Sequence, residues 1–337
     1  MEVKQIIQDV ENTVAKQINT SSLNGGTGSA TLTTRQDLDA TIVNLAYRNT
    51  PFRDLVKRTA GQGQAFTFNT TEDLFSAGES SDPTTSIYSD GALPNYRTTK
   101  YGTKIVAYKA MGYAGSVTGL AQATASSLVD LYATEVERTV RRVIQAEEWL
   151  NFWGTTGASS YDGLDALITT NVIDAGGANI SKALVDKAVK RIMSHGGSAT
   201  HIFSSFGVQA DINNLYNQYA QVLVSNVDQS KLTYGFNVPE IMTANGVLKV
   251  VGDFFINPAN TYPNGDGSSS YPTGAATSTV FLLAMPYIEM RDLKSIGMEE
   301  LGRVADKRDF FVNQYSALKL TAEPWCAKII NVAETTL

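Results

Sequence analysis

The sequence predicts an α+β fold on three observations. Helical periodicity is confined to a few separated segments, strand-like segments gather elsewhere without regular strand–helix alternation, and no repeat of about 20 to 50 residues is present. The chain has 337 residues, 43% of them hydrophobic, which at about 150 residues per domain corresponds to two domains with a sizeable core. Its 27 basic and 33 acidic side chains give a net charge of −6, a balance that argues against broad sequence-independent nucleic-acid binding through phosphate neutralisation. One cysteine, Cys326, excludes an internal disulfide framework or thiolate cluster. The longest apolar run, Val280 to Ile288, contains Pro286 and is about half of the roughly 18 residues a membrane span needs. The N-terminus interleaves charge with apolar residues and does not read as a secretory signal, so the chain is expected to stay in the cytoplasm where it is made.

The elements follow in order. Val3, Ile6, Ile7, Val10, Val14 and Ile18 trace one face of a first helix. Asn19 to Thr34 has little to bury and reads as a linker. A second helix starts near Thr34, turns Leu38, Ile42 and Leu45 inward, and stops before Pro51. From Gly61 to Lys104 the chain is rich in Gly, Ser and Thr and cannot build its own core. Its flanks, Ala65–Phe68 and Lys104–Tyr108, are strand-like and predict a long two-stranded arm with an irregular tip around Ser80 to Leu93. Such a ribbon is marginal alone and needs a neighbour.

Thr124 to Trp153 predicts a long amphipathic helix, with Leu128, Leu131, Tyr132, Val136, Val140, Val143, Ile144 and Leu150 on one face and Gly154 and Gly157 beyond its end. Ser181 caps a further helix ending at Gly196-Gly197. A short strand at 201–204 and a helix at 207–219 follow. Val247 to Ile256 and Thr279 to Met290 read as strands around a polar loop at 257–274. Phe310 to Val332 reads as two closing strands broken near Glu323-Pro324.

The search for chemistry finds little. Gly25 to Ser29 has no preceding strand and no P-loop Lys-Ser or Lys-Thr pair. His195 and His201 are six apart across a diglycine, not four apart as in a helical zinc pair. Asn264 to Gly267 opens like a calcium loop but lacks the closing glutamate. Ser204 to Gly207 lacks the glycine spacing of a nucleophile elbow. No catalytic residue, cofactor or metal site is predicted, and the chain reads as a non-enzyme. Cys326 beside Trp325 reads as a small buried hydrophobe.

Charge along the arm is ordered: Glu72, Asp73, Glu79, Asp82 and Asp90 come first, then Arg97, Lys100, Lys104 and Lys109. Either the order is chance on a solvated face, or the two halves meet partners of opposite potential, which makes all nine candidate inter-subunit contacts.

Read in sequence, Asn49-Thr50-Pro51-Phe52 before the arm, Gly154 to Leu164 after the long helix, Thr243 to Val251, and Phe311 to Leu320 with the following strand resemble the Hong Kong 97-type major capsid protein of tailed bacteriophages. The resemblance implies an N-terminal arm (1–60), an extended loop (61–120), a peripheral domain (121–180 with 291–337) and an axial domain (181–290). It implies a shell subunit that assembles with itself into hexamers and pentamers, without cofactors, and is found in the virion after synthesis in the host bacterial cytoplasm. Implied partners are a separate scaffolding protein, since little chain precedes the arm, a portal protein, a possible decoration protein, and packaged DNA bound without sequence specificity; no membrane is involved. Some relatives join subunits by a Lys-Asn isopeptide bond; Lys100, Lys104 or Lys109 with Asn313 or Asn331 are conceivable partners that no local motif singles out. The alternatives are an encapsulin-like nanocompartment shell, an unrecognised hydrolase using Asp or Glu pairs, and a β-rich glycan-binding or adhesive protein.

Overall fold

The structure, a computed structural model, describes residues 48–73, 82–125, 130–158, 160–217, 239–256, 277–303 and 305–334. The helices expected at 3–18 and from 34, the linker between them, Glu79 and the 257–274 loop lie outside the described residues.

Arg48 to Thr50 are not helical, as expected ahead of a proline, but Pro51 itself opens a five-residue helix, α1 (Pro51–Leu55). Proline suits a first turn because its missing N–H has no helical partner there. Strand β1 (Lys57–Ala60) then leads to β2 (Ala65–Asp73), and the chain returns as β3 (Lys100–Ala107). These last two pair only with each other in an antiparallel ribbon, the expected arm, its register running from Ala65 opposite Ala107 to Asp73 opposite Lys100. Beyond Tyr108 the chain changes sheets. Strand β4 (Lys109–Thr118), which the sequence did not separate from the arm, pairs with a closing strand instead.

The long helix is shorter than its periodicity suggested. A separate helix α2 (Gly119–Ala125) comes first, and α3 runs from Leu131 to Trp153, 23 residues or about 35 Å. The reason is a cap: the Asp130 carboxylate accepts the N–H groups of Tyr132 and Ala133 at 3.1 and 3.3 Å, satisfying donors that have no helical partner. Leu128 lies outside the described residues.

After α4 (Leu164–Leu167) and β5 (Val172–Asp174), helix α5 (Lys182–Ser194) starts at Ser181 as expected, and β6 (His201–Ser204) and α6 (Phe206–Asn217) follow. The stretch expected to be strand-rich from Val247 to Ile256 holds β8 (Gly246–Gly252), which pairs with a preceding β7 (Glu240–Thr243) in a hairpin. Strand β8 stops at Gly252 because Asp253 Oδ1 accepts the Phe255 N–H at 2.8 Å and closes a turn. The strand-rich stretch expected over 279–290 is divided between β9 (Thr277–Leu283) and β10 (Ile288–Glu300) at Met285-Pro286-Tyr287, since proline cannot donate to a ladder. The closing strands β11 (Lys307–Leu320) and β12 (Ala327–Ala333) are broken at Glu323 to Trp325.

Two sheets result. One has the order β1-β10-β11-β4, the other β5-β12-β9-β6-β8-β7, so the closing strands enter different sheets. Glu323 fixes the crossing, its carboxylate accepting the Thr169 and Thr170 N–H groups at 2.9 and 2.7 Å. Val185, Ala188, Val189 and Ile192 of α5 pack on the six-stranded sheet. Where the sheets meet, Phe152 contacts Phe52 and Phe281 with ring centroids 5.1 and 5.5 Å apart. Cys326 is fully buried in this core, and burial pushes its thiol up to about 12.

Candidate assembly surfaces

The ribbon has two unlike faces because side chains alternate along a strand. Phe66, Phe68 and Val106 turn toward the four-stranded sheet and are half-buried. There the Arg291 guanidinium sits 5.8 Å from the Phe66 ring and the Lys319 ammonium 5.4 Å from the Phe68 ring, arrangements attractive to the ring quadrupole. The opposite face carries Thr67, Asn69 and Thr71 across from Ile105, Thr103 and Tyr101, all exposed. Tyr101 is 72% and Ile105 71% exposed, and toward the tip Ile87, Leu93 and Tyr96 reach 79%, 79% and 86%. With Tyr88 at 58%, six large apolar side chains stand in water along one arm, which makes it a candidate contact surface.

The candidate charges divide into those the structure places and those it does not. Asp82 caps a short turn at Pro83–Ser86, where the Thr84 N–H at 2.9 Å holds its carboxyl below the usual range. Arg97 donates to Thr85 Oγ1 at 2.8 Å on its own chain. Asp90, Lys100 and Lys104 are exposed and Lys109 is half-buried. The backbone brings Asp73 opposite Lys100. The side chains of Glu72 and Asp73 and the whole of Glu79 lie outside the described residues.

Sequence reasoning missed a buried acidic cluster beneath α1. Glu147 and Glu148 are fully buried on α3. Glu147 accepts Arg53 Nε at 2.6 Å, an Arg58 guanidinium N–H at 2.7 Å and Gln314 Nε2 at 2.7 Å. Glu148 accepts the backbone N–H groups of Phe52 and Arg53 at 2.7 and 2.8 Å. Although burial works against its charge, Arg58 is held protonated above its usual value by Asp292 and Glu147. Burial pushes both Glu148 and Asp253 upward, Asp253 to about 6, and the Asp253 carboxyl adds to the rise at Glu148. The signal was available: two adjacent glutamates interrupt the inward periodicity of α3 between Ile144 and Leu150, and two arginines precede the arm.

A ribbon standing off a four-stranded sheet, a long helix beneath that sheet and a second, six-stranded sheet are the parts of the Hong Kong 97-type shell-protein fold. Solved structures bear this out at the level of fold. The capsid of a native GTA particle matches with a TM-score of 0.63 at 10% identity, covering 94% of this chain and all of that one. The holo-SrpI encapsulin complex of Synechococcus elongatus PCC 7942 matches with a TM-score of 0.60 at 9% identity, over 90% and 94% of the two chains. A Mycobacterium phage Bobi structure matches with 0.58 at 11%, over 88% and 95%. In sequence, the chain matches the SU10 major capsid protein family over residues 15–333 and belongs to that family. It is 32% identical over 121 residues to a protein of Enterococcus phage phiEF24C and 25% identical over 143 residues to one of Staphylococcus phage K. The words major capsid protein stand in both names, and the matches cover 33% and 40% of this chain but only 26% and 30% of those proteins.

Proposed function

We propose that the chain is a structural major capsid protein whose copies close into the icosahedral head shell that encloses phage double-stranded DNA. The observation that carries this reading is the ribbon: a chain of the capsid-protein family holds an ordered arm whose outer face and tip leave Tyr101, Ile105, Ile87, Leu93 and Tyr96 in water. A closed assembly of identical copies supplies the covering surface repeatedly. Hexamers and pentamers are the expected units, with residues 1–60 as N-terminal arm, 61–120 as extended loop, 121–180 with 291–337 as peripheral domain and 181–290 as axial domain.

The role is structural rather than enzymatic. Lys100, Lys104 and Lys109 meet carboxylates of an adjacent copy, and Glu72, Asp73, Glu79, Asp82 and Asp90 meet basic groups elsewhere; Arg97 adds to the basic set while bracing its own tip. The further partners are a separate scaffolding protein, a portal, a decoration protein and packaged DNA held without sequence preference, in a virion assembled in the host cytoplasm. Electron microscopy of the purified chain, alone and with the scaffolding protein, is the test. Closed shells are expected, and only monomers and dimers at every salt and protein concentration overturn the reading. The encapsulin likeness supports a second reading, a cellular compartment, which DNA-free particles loaded with a protein cargo in the native source would favour.

A further inference from the structure

Among the sheet edges of the described residues, one is built without the usual protection. Strands β1, β5 and β7 end their sheets with four, three and four residues, and β1 carries Lys57 and Arg58. The ribbon strands carry Glu72 and Asp73 or Lys100 and Lys104. Strand β4 is ten residues long, has no proline and no charge after Lys109, and is paired on one side only, with β11. Short length, charge and proline are what keep an open edge from pairing with another chain, and β4 lacks all three.

The groups this edge presents follow from its register. Pairing runs without a shift from Thr118 opposite Lys307 to Lys109 opposite Ser316, and the Gly119 N–H donates to Asp306 O at 3.0 Å one pair further on. Alternate pairs of an antiparallel ladder exchange hydrogen bonds, so the odd-numbered residues from 109 to 117 turn their N–H and C=O groups to β11. Ala110, Gly112, Ala114 and Ser116 turn theirs outward, and all four are exposed and small. The chain's own ribbon does not reach them. Tyr108 alone separates β3 from β4, too little chain for a hairpin turn. The ribbon also leaves in the other direction: Phe68 lies at Lys319, past the Ser316 end of β4, and Asn69 to Thr71 line a cleft with Thr321 to Trp325.

We propose that the outer edge of β4 receives strand β2 from the ribbon of a second copy as an added antiparallel strand. Charge selects the strand and its direction. Run antiparallel, β2 lays its uncharged stretch Ala65 to Thr71 along Ala110 to Ser116 and brings its Glu72-Asp73 end to Lys109, the one charged residue of β4. Run parallel, it carries that acidic end to the opposite end of β4. Strand β3 sets Lys104 against the uncharged stretch in either direction, and a parallel run brings Lys100 to Lys109. The outward N–H and C=O groups supply the affinity, as in other strand additions. Because each ribbon leads away from its own β4, the contact is head to tail: every copy gives one arm and takes another, the arrangement that closes rings of identical copies.

This contact rests on the reading of the chain as a shell subunit, and the test separates the two. Hydrogen exchange of the full chain, read by mass spectrometry on dilute subunit and on closed particles, should show the 109–118 peptide about tenfold better protected in particles, with the peptide covering β6 unchanged. Ala114→Pro removes an outward N–H and no hydrogen bond to β11, so the subunit melt should stay close to wild type while the concentration needed for assembly rises about tenfold. Lys109→Glu should raise it as well, and adding Glu72→Lys and Asp73→Lys to that variant should restore it. Absence of particles from the unaltered chain overturns the shell reading and this contact with it. Particles whose 109–118 peptide gains no protection, or an unchanged threshold in Ala114→Pro, overturn the strand addition and leave the shell standing. Protection without rescue by the charge exchange overturns β2 as the donor. Should Ala114→Pro fail to fold, exchange in the unaltered chain and the charge exchange decide.

Discussion

Replacing Tyr101 and Ile105 together by serine separates assembly from folding. Both stand on the outer face of the ribbon at 72% and 71% exposure, so the isolated subunit loses almost no packing and its stability should change by no more than about 0.5 kcal/mol. On a neighbouring copy each would bury about 70% of its side chain, worth about 1 to 2 kcal/mol at the usual return for apolar area. The sum of roughly 2 to 4 kcal/mol per ribbon drops to about 2 or 3 after the rotamer freedom lost on contact. At about 1.4 kcal/mol per factor of ten, the concentration needed for assembly should rise roughly 30- to 100-fold. Sedimentation or light scattering across a dilution series reads that concentration, and thermal melting of the unassembled subunit reads the control. An unchanged assembly threshold with an unchanged melt would refute the assignment of this face to a subunit contact; a collapsed melt would refute the claim that the face is free of intramolecular packing.

Val143 is fully buried against Phe310 and Val312, whereas Val140 is only half-buried beside them, so Val143→Asp should cost several kcal/mol and abolish soluble yield while Val140→Asp should lower the melting temperature but leave folded protein. Lys100→Glu with Lys104→Glu should leave the subunit melt unchanged and weaken shells most at low ionic strength, because exposed pairs contribute about 0 to 1 kcal/mol each and are screened by salt; equal salt dependence in mutant and wild type would make these charges a solvated face. For Asp253 the sign is that of an acid whose folded value, about 6, lies above its unfolded one: its stabilising contribution is present near pH 4 and lost as pH rises through 6. Urea unfolding of Asp253→Asn should therefore show a stability advantage over wild type at pH 8 that shrinks toward pH 5, of order 2 kcal/mol; an advantage equal at both pH values would refute an acid raised by burial at this position.

What the sequence disclosed follows what local physics controls. Ser181 and the diglycine after Ser194 mark a helix by capping alone, and α5 stands where they put it. The ribbon was legible from its apolar flanks around a coreless stretch. The start of α3 was misread because hydrophobic periodicity continues upstream of Asp130 and cannot weigh a cap against it; the cap prevails. The separation of β4 from β3 at Tyr108 and of β11 from β12 at Glu323 depends on which distant strands are available, so no window of sequence contains it. The acidic cluster was hidden for a related reason. Glu147 and Glu148 interrupt the inward face of α3, but the arginines that pair with Glu147, Arg53 and Arg58, lie up to 94 positions away, so the sequence shows the interruption without the partners that complete it.

These two classes of residue do opposite work. The ribbon's inner face spends its aromatic rings on Arg291 and Lys319, which orders the arm before any partner arrives. A contact surface ordered in advance loses less entropy on docking, so even a modest apolar patch can support repeated association. The segment at 48–55 is spent inside the chain instead: Glu148 accepts the Phe52 and Arg53 N–H groups, Glu147 accepts Arg53 Nε at 2.6 Å, and the buried Phe52 ring lies on Phe152 and Phe203. Pairing of that kind is a poor way to gain stability, since burying charge costs more than an apolar substitute would. The chain thus orders in advance the arm that reaches outward and anchors the segment preceding that arm in its core.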